Sequence, residues 1–289
     1  VTRYALRHRT AYAYASPVDL ASHLLHLAPR ALPGQLVEQA RLLVTPTPAH
    51  RAEGRDHFGN GVTWLFFEAP HASFEVTLDA TVQVGFAPPP IAGATPPWEA
   101  VRDLARQDAG WQAAEFTLPS ALAAPERAAG AYARLSFPQG RPVLAGLREL
   151  TSRIRRDFAF RPGATTISTP VAQVMAHRAG VCQDFAHAMI AGLRALGLPA
   201  RYVSGYVRTR PPPGQKRRQG ADASHAWVGC WLGPEFGWVD LDPTNDLVVA
   251  DEHVLLGWGR DYADVSPVRG MLLGGGRQTL EVSVDLVEA

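Results

Sequence analysis

One thiol, one imidazole and one carboxylate, far apart in the chain and each set in its own motif, constrain this sequence more than any other feature. Cys182 heads the run Gly180-Val181-Cys182-Gln183-Asp184-Phe185-Ala186-His187, His225 follows 43 residues later, and Asp242 lies 17 residues beyond that. The set suggests a nucleophile, its base and an orienter. Such spacing lets the three meet only through tertiary folding, whereas a zinc knuckle needs tighter pairs.

Local patterning says where each group sits. Ala179-Gly180 ends what precedes it, and a helix-forming stretch runs from Gln183 to Leu196, stopped by Gly197 and Pro199. Cys182, Ala186, Met189 and Leu193 recur at helical spacing, so the helix is expected in the core with Cys182 in its first turn. There the positive end of the helix dipole favours thiolate, the reactive form, and a free backbone N–H can face an oxyanion. The Cys182 N–H and the side chain of Gln183 are the oxyanion candidates.

His225 opens a segment whose aromatic and β-branched content reads as a strand through Leu232. Alternation places His225, Trp227 and Gly229 on one face and Val228 and Cys230 on the other, so Cys230 points away. Gly233-Pro234-Glu235-Phe236-Gly237 marks a turn, and Trp238-Val239-Asp240-Leu241-Asp242-Pro243 reads as the returning strand of a hairpin. Asp240 and Asp242 share a face, and spacing alone does not choose between them. Pro243 ends ladder pairing just after Asp242.

The segments GVCQDFAHAMIAGLRALGLPARYVSGY, SHAWVGCWL and GWVDLDPTN resemble the Cys, His and Asp motifs of bacterial transglutaminase-like proteins, a branch of the papain-like superfamily. The resemblance covers about residues 150 to 265. Leu6-Arg7-His8-Arg9-Thr10-Ala11-Tyr12-Ala13-Tyr14 with Leu27-Ala28-Pro29-Arg30 is similar to the β-rich N-terminal region of that family, and the segment from Gly259 to Pro267 to its C-terminal part. The resemblance implies Cys182 as nucleophile, His225 as general acid and base, and Asp242 as orienter. It implies a thioester formed from a glutamine amide or a peptide bond of a protein or peptide, resolved by water or by an amine acyl acceptor, with no cofactor and no metal. Many members carry an acid where this chain has Gly229. Two alternatives stand beside this expectation: arylamine acetyltransferase-like acyl transfer, which uses the same order of residues, and a non-catalytic binding scaffold.

From Thr2 to Phe86 alternating segments separated by turns such as Gly59-Asn60-Gly61 predict an antiparallel β domain of sandwich type. A proline-rich linker spans 87–97, and 98–289 is expected to form the catalytic domain. There, helical patterns at Trp98–Arg106, Pro125–Leu135 and Val143–Phe158 precede the Cys182 helix. Strands follow at Arg201–Val207, His225–Leu232 and Trp238–Leu241, with a closing strand at Gln278–Leu286. Helices first and antiparallel strands after make the class α+β, a papain-like, transglutaminase-like core beside a β-sandwich-like domain.

Composition bounds the partners. A net charge of +1 argues against a general polyanion binder, and no run approaches the roughly 20 apolar residues of a membrane span. The basic stretch Arg208–Gly220 lacks the interleaved aromatics of a nucleic-acid groove and reads as a solvated loop. Two cysteines in opposed surroundings give no disulfide framework, so a reducing cytoplasm is expected, with a processed secreted chain as the alternative; no signal peptide is visible. His187 is expected to be structural, Asp184 to complement the helix N-terminus, and Trp227, Trp231 and Trp238 to be core residues.

Overall fold

The computed structural model describes residues 1–209 and 223–289. Its first part is built on one long strand, β1 (Thr2–Leu25), followed by β2 (Gln35–Thr45), β3 (His50–Arg55), β4 (Gly61–Phe67) and β5 (His71–Val84), in the sheet order β2-β5-β1-β4-β3. An irregularity between Ala13 and Val18 divides β1, so that its first half pairs mainly with β5 and its second with β4. The two halves then face each other: the His23 ring stacks on Phe74 at 4.2 Å and Phe67 meets Phe74 edge-on at 5.7 Å. The two expected layers are therefore one antiparallel sheet curled over a shared core.

After residues 87–97 come the helices α1 (Trp98–Leu104), α2 (Trp111–Ala114), α3 (Arg127–Arg134) and α4 (Val143–Asp157). A two-residue strand β6 (Ala159–Phe160), α5 (Val171–His177) and β7 (Ala179–Gly180) lead into α6 (Cys182–Ala195), with β6 and β7 paired in parallel. The chain continues as β8 (Ala200–Val207), β9 (Ala223–Trp231), β10 (Trp238–Asp242), β11 (Leu247–Val248) and β12 (His253–Gly259), then α7 (Tyr262–Val265), β13 (Val268–Gly274) and β14 (Gln278–Glu288). Strands β8 to β12 form an antiparallel sheet in the order β11-β10-β9-β8-β12. Helix α6, buried continuously from Asp184 to Arg194, shares its core with Ala226, Val228 and Cys230 of β9.

The start of α6 is fixed by Asp184, whose Oδ2 accepts the Val181 N–H at 2.7 Å and the Thr165 hydroxyl at 2.6 Å. A carboxylate in the first turn also complements the helix dipole, as its position in the sequence implies. Gly180 is required by that closeness, since a Cβ there would lie 2.5 Å from Asp184 Oδ2. Gly197, at φ +78°, supplies the left-handed turn that releases the chain into β8.

The two parts interlock. Tyr206, Val254 and Leu256 belong to the core of the curled sheet, and His8 Nδ1 lies 2.6 Å from the Tyr206 hydroxyl. The closing strand expected at Gln278–Leu286 is β14, and it pairs with the first half of β1 while β13 pairs with the second. The curled sheet thus takes strands from both sides of the helical region. Most of the basic stretch Arg208–Gly220 lies outside the described residues; among the described residues no helix is long and apolar enough to cross a membrane.

Candidate active site

Tertiary folding brings together the three groups that the sequence scatters. Cys182 is the first residue of α6, half-buried, and it lies close enough to the imidazole of His225 on β9 to help raise the pKa of that ring. On the other side of that ring, Nε2 lies 2.7 Å from Oδ2 of Asp242, the last residue of β10. With Nε2 taken by the carboxylate, Nδ1 is left for the sulfur. His225 is 8% exposed and Asp242 fully buried, so the ring–carboxylate contact is shielded from water.

Asp242 is held from five directions. Oδ1 accepts the backbone N–H groups of Thr244 at 2.9 Å and Asn245 at 3.2 Å, an Asx-type turn for which Asp-Pro-Thr-Asn is suited. Oδ2 receives His225, the Asn245 side-chain amide at 2.7 Å and His253 Nε2 at 3.2 Å. Burial opposes the charge on Asp242, yet the hydrogen bonds from His225, His253 and Asn245 outweigh it and hold the carboxyl well below the usual carboxylate range. For His225, burial pulls the other way, and the bonds to Asp242 and Cys182 push its pKa up to about 10. The imidazole is thereby kept protonated at neutral pH beside a sulfur. That arrangement suits a thiolate nucleophile with a proton donor at hand.

The hairpin register resolves which acid serves His225. Asp240 stands opposite Gly229 and Leu241 opposite Val228, so Asp242 falls towards the His225 end of β9. Asp240 is engaged elsewhere: its Oδ2 accepts the Trp227 indole N–H at 3.0 Å and its Oδ1 lies 3.5 Å from Arg201. A Cβ at residue 229 would sit 2.6 Å from Arg201 Nε and 2.7 Å from Asp240 Oδ1. The space a side chain at residue 229 would take is thus already filled by Arg201 and the Asp240 carboxylate. The Arg201 guanidinium lies over Trp238 at 4.4 Å and Trp258 at 3.9 Å, and Arg30 covers the Trp258 ring at 3.6 Å. Trp227 and Trp231 are buried, and Trp238 is partly covered, as core residues would be.

Of the oxyanion candidates, the Gln183 amide donates to the Ile167 carbonyl at 3.2 Å, while the Cys182 N–H opens the helix among amides that lack an intrahelical acceptor. His187 accepts the Tyr262 N–H at 3.2 Å; burial pulls its pKa down to about 4, so it is a neutral structural group. Cys230 is buried in the α6 core and burial pushes its thiol far up.

Two participants were not read from the sequence. Asn245 could have been found as the fourth residue of the Asp-Pro-Thr-Asn turn. His253 had no local signal, because only the approach of β12 to β10 through two intervening strands brings it to Asp242. His225, Asp242 and His253 offer one ligand atom each within 4.8 Å of one another, and are the group among the described residues that could hold a cation. Both ring Nε2 atoms face the same oxygen, an arrangement that hydrogen bonding accounts for.

Comparison with known proteins gives the chain its family. Residues 4–83 match the bacterial transglutaminase-like N-terminal region and residues 134–243 the transglutaminase-like superfamily. An uncharacterised protein of Mycobacterium tuberculosis is 44% identical over 99% of this chain and 92% of its own length, and one of Mycobacterium leprae is 31% identical over 98% of each. A protein-glutamine gamma-glutamyltransferase of Pseudomonas aeruginosa is 33% identical over 39% of this chain and 17% of that protein. Among solved structures, a candidate cysteine protease from Cytophaga hutchinsonii superposes with a TM-score of 0.74 at 21% identity, covering 99% of this chain and 90% of that one, a likeness of fold.

Proposed function

This chain belongs to the transglutaminase-like superfamily, and on that premise we propose that Cys182, His225 and Asp242 form a thiol acyl-transfer centre. Its substrates are glutamine side-chain amides or peptide bonds of a protein or peptide. The observation that carries this reading is the His225 ring held at 2.7 Å by the buried Asp242, with Cys182 in the first turn of α6 acting on the same ring.

The sulfur of Cys182 attacks the carbonyl carbon, and the oxygen takes the displaced electron pair, facing the Cys182 N–H. As the carbon–nitrogen bond breaks, the proton on His225 passes to the departing nitrogen, leaving a thioester and a neutral imidazole. His225 then removes a proton from water or a primary amine. The new carbon–oxygen or carbon–nitrogen bond forms, the carbon–sulfur bond breaks, and the sulfur leaves beside the reprotonated ring. Asp242 keeps the ring oriented and stabilises its charged form in both halves.

Alkylation at neutral pH tests the centre: iodoacetamide should label Cys182 quickly and the buried Cys230 slowly. Ammonia release from glutamine peptides, peptide cleavage and acetyl transfer, measured in parallel with a Cys182→Ser control, then identify the reaction. A reactive Cys182 with neither ammonia release nor cleavage rules this substrate assignment out.

A further inference from the structure

Strand β12 is the edge of the five-stranded sheet, and its outer side is not bare. Two buried amides from the N-terminal part occupy it, each making the pair of bonds a neighbouring strand would make. Gln35, 2% exposed, donates to the Leu255 carbonyl and accepts the Leu255 N–H, both at 2.8 Å. Asn60, 1% exposed, donates to the Trp258 carbonyl at 2.8 Å and accepts the Trp258 N–H at 3.0 Å. Outward-facing backbone groups ordinarily recur every second residue. Here they are three apart, because the register against β8 slips by one residue between Leu255 and Gly257. Gly257 is needed at this grip, since a Cβ there would lie 2.6 Å from Asn60 Oδ1. A third tie precedes the strand: the Tyr4 hydroxyl of β1 donates to the Asp251 carbonyl at 2.8 Å.

Between these ties stands His253, 2% exposed, with Nε2 at 3.2 Å from Asp242 Oδ2 and its ring 5.2 Å from that of Trp227. Its Nδ1 is buried without a partner. An imidazole with that nitrogen unsatisfied stays in place only if its backbone and its one bond hold it there. We propose that His253 is a positioning residue for the Asp242–His225 pair, and that the N-terminal sheet sets its position by gripping β12 through Tyr4, Gln35 and Asn60. The inference rests on the reading of Cys182, His225 and Asp242 as the reacting trio. Through it the N-terminal sheet acts on the chemistry without touching substrate: it fixes the strand that aims the carboxylate.

The test uses the full chain and the rate at which iodoacetamide alkylates Cys182 from about pH 5 to about pH 9, a range that brackets an ordinary imidazole. His253→Leu should slow alkylation about tenfold at neutral pH, the loss expected for one hydrogen bond to a charged group. It should also change the shape of the pH profile, which a general loss of packing does not do. His253→Gln, which can return an N–H to Asp242, should recover most of the rate. Gln35→Leu should slow the reaction in the same way, and the double variant should be no slower than His253→Leu alone, since the two act through one contact. If Gln35→Leu does not fold by near-ultraviolet circular dichroism, Tyr4→Phe, isosteric and short of one bond, takes its place with an expected slowing of about threefold.

Fully additive losses for His253 and Gln35 or Tyr4, or a His253→Leu profile that overlays the wild type, overturn the proposal while leaving the trio standing. A wild-type Cys182 no more reactive than a free thiol removes the trio and this inference together. Reactive Cys182 with the expected coupling, but no amide turnover, leaves the positioning role in place and removes only the substrate assignment.

Discussion

Replacing Asp242 by asparagine is the sharpest perturbation of the site, because every lone pair of that carboxylate is in use. Oδ1 accepts two backbone N–H groups, and Oδ2 faces His225, the Asn245 amide and His253. An asparagine must turn its NH2 towards one of these sets, setting donor against donor whichever way it rotates. Two or three buried groups are then unsatisfied at about 1–3 kcal/mol each, so a stability loss of at least about 2 kcal/mol is expected in urea unfolding. For reactivity, the relevant quantity is the charge-assisted bond to His225, about 1.5–3 kcal/mol, or roughly 10- to 150-fold in rate. The sign with pH follows from the environment of the ring. With the carboxylate, His225 keeps its proton to about 10; without it, burial is opposed by Cys182 alone and the proton leaves at lower pH. Alkylation of Asp242→Asn should therefore be slow at neutral pH, its loss shrinking towards the alkaline side, where a thiol ionises without help from the ring. Asp240→Asn serves as control, because Asp240 bonds Trp227 and Arg201 rather than His225. Equal alkylation profiles for Asp242→Asn and wild type, in a variant with native near-ultraviolet circular dichroism, would refute this account of the site.

Other outcomes follow from burial and close contact. His8, His23 and His187 are buried with pKa values pulled down to about 4, chiefly by desolvation. The unfolded chain binds their protons first, so stability is full above about pH 6.5 and falls as pH drops towards 4, seen as a falling urea midpoint that His8→Gln should flatten. Gly205→Ala should abolish soluble folded protein on expression, since the added Cβ would lie 2.2 Å from the Val254 carbonyl oxygen and 2.4 Å from the Trp227 ring. Arg194 donates to the Phe116, Ala123, Ala200 and Arg260 carbonyls and to the Ser120 hydroxyl. Arg194→Met orphans these acceptors and should cost about 3–5 kcal/mol in denaturant unfolding, with the alkylation profile of the surviving native protein unchanged.

Local sequence carried much of this site. The Gly180 break, the helix from Cys182 and the His225–Asp242 hairpin depend on neighbours within a few residues, and periodicity reports such neighbours well. What it could not report was register and long-range pairing. Asp240 and Asp242 share one strand face, and only the pairing of Asp240 with Gly229 separates their roles. His253 reaches Asp242 from a strand three places removed from β10 in the sheet, and its position depends on Gln35 and Asn60, some two hundred residues earlier. Likewise nothing near Gln278 marks β1 as the partner of β14. The mid-sheet character of β1, flanked on both sides along its length, is a property of the finished fold.

That placement of β1 bears on how the protein is made. The ribosome delivers this strand long before its partners β13 and β14, so one flank of β1 stays open while everything between them is made. An uncovered flank is a template for pairing with other chains, and the polypeptide crosses that hazard every time it is translated. A nascent chain stalled before β13 should be sticky in the way a completed one is not.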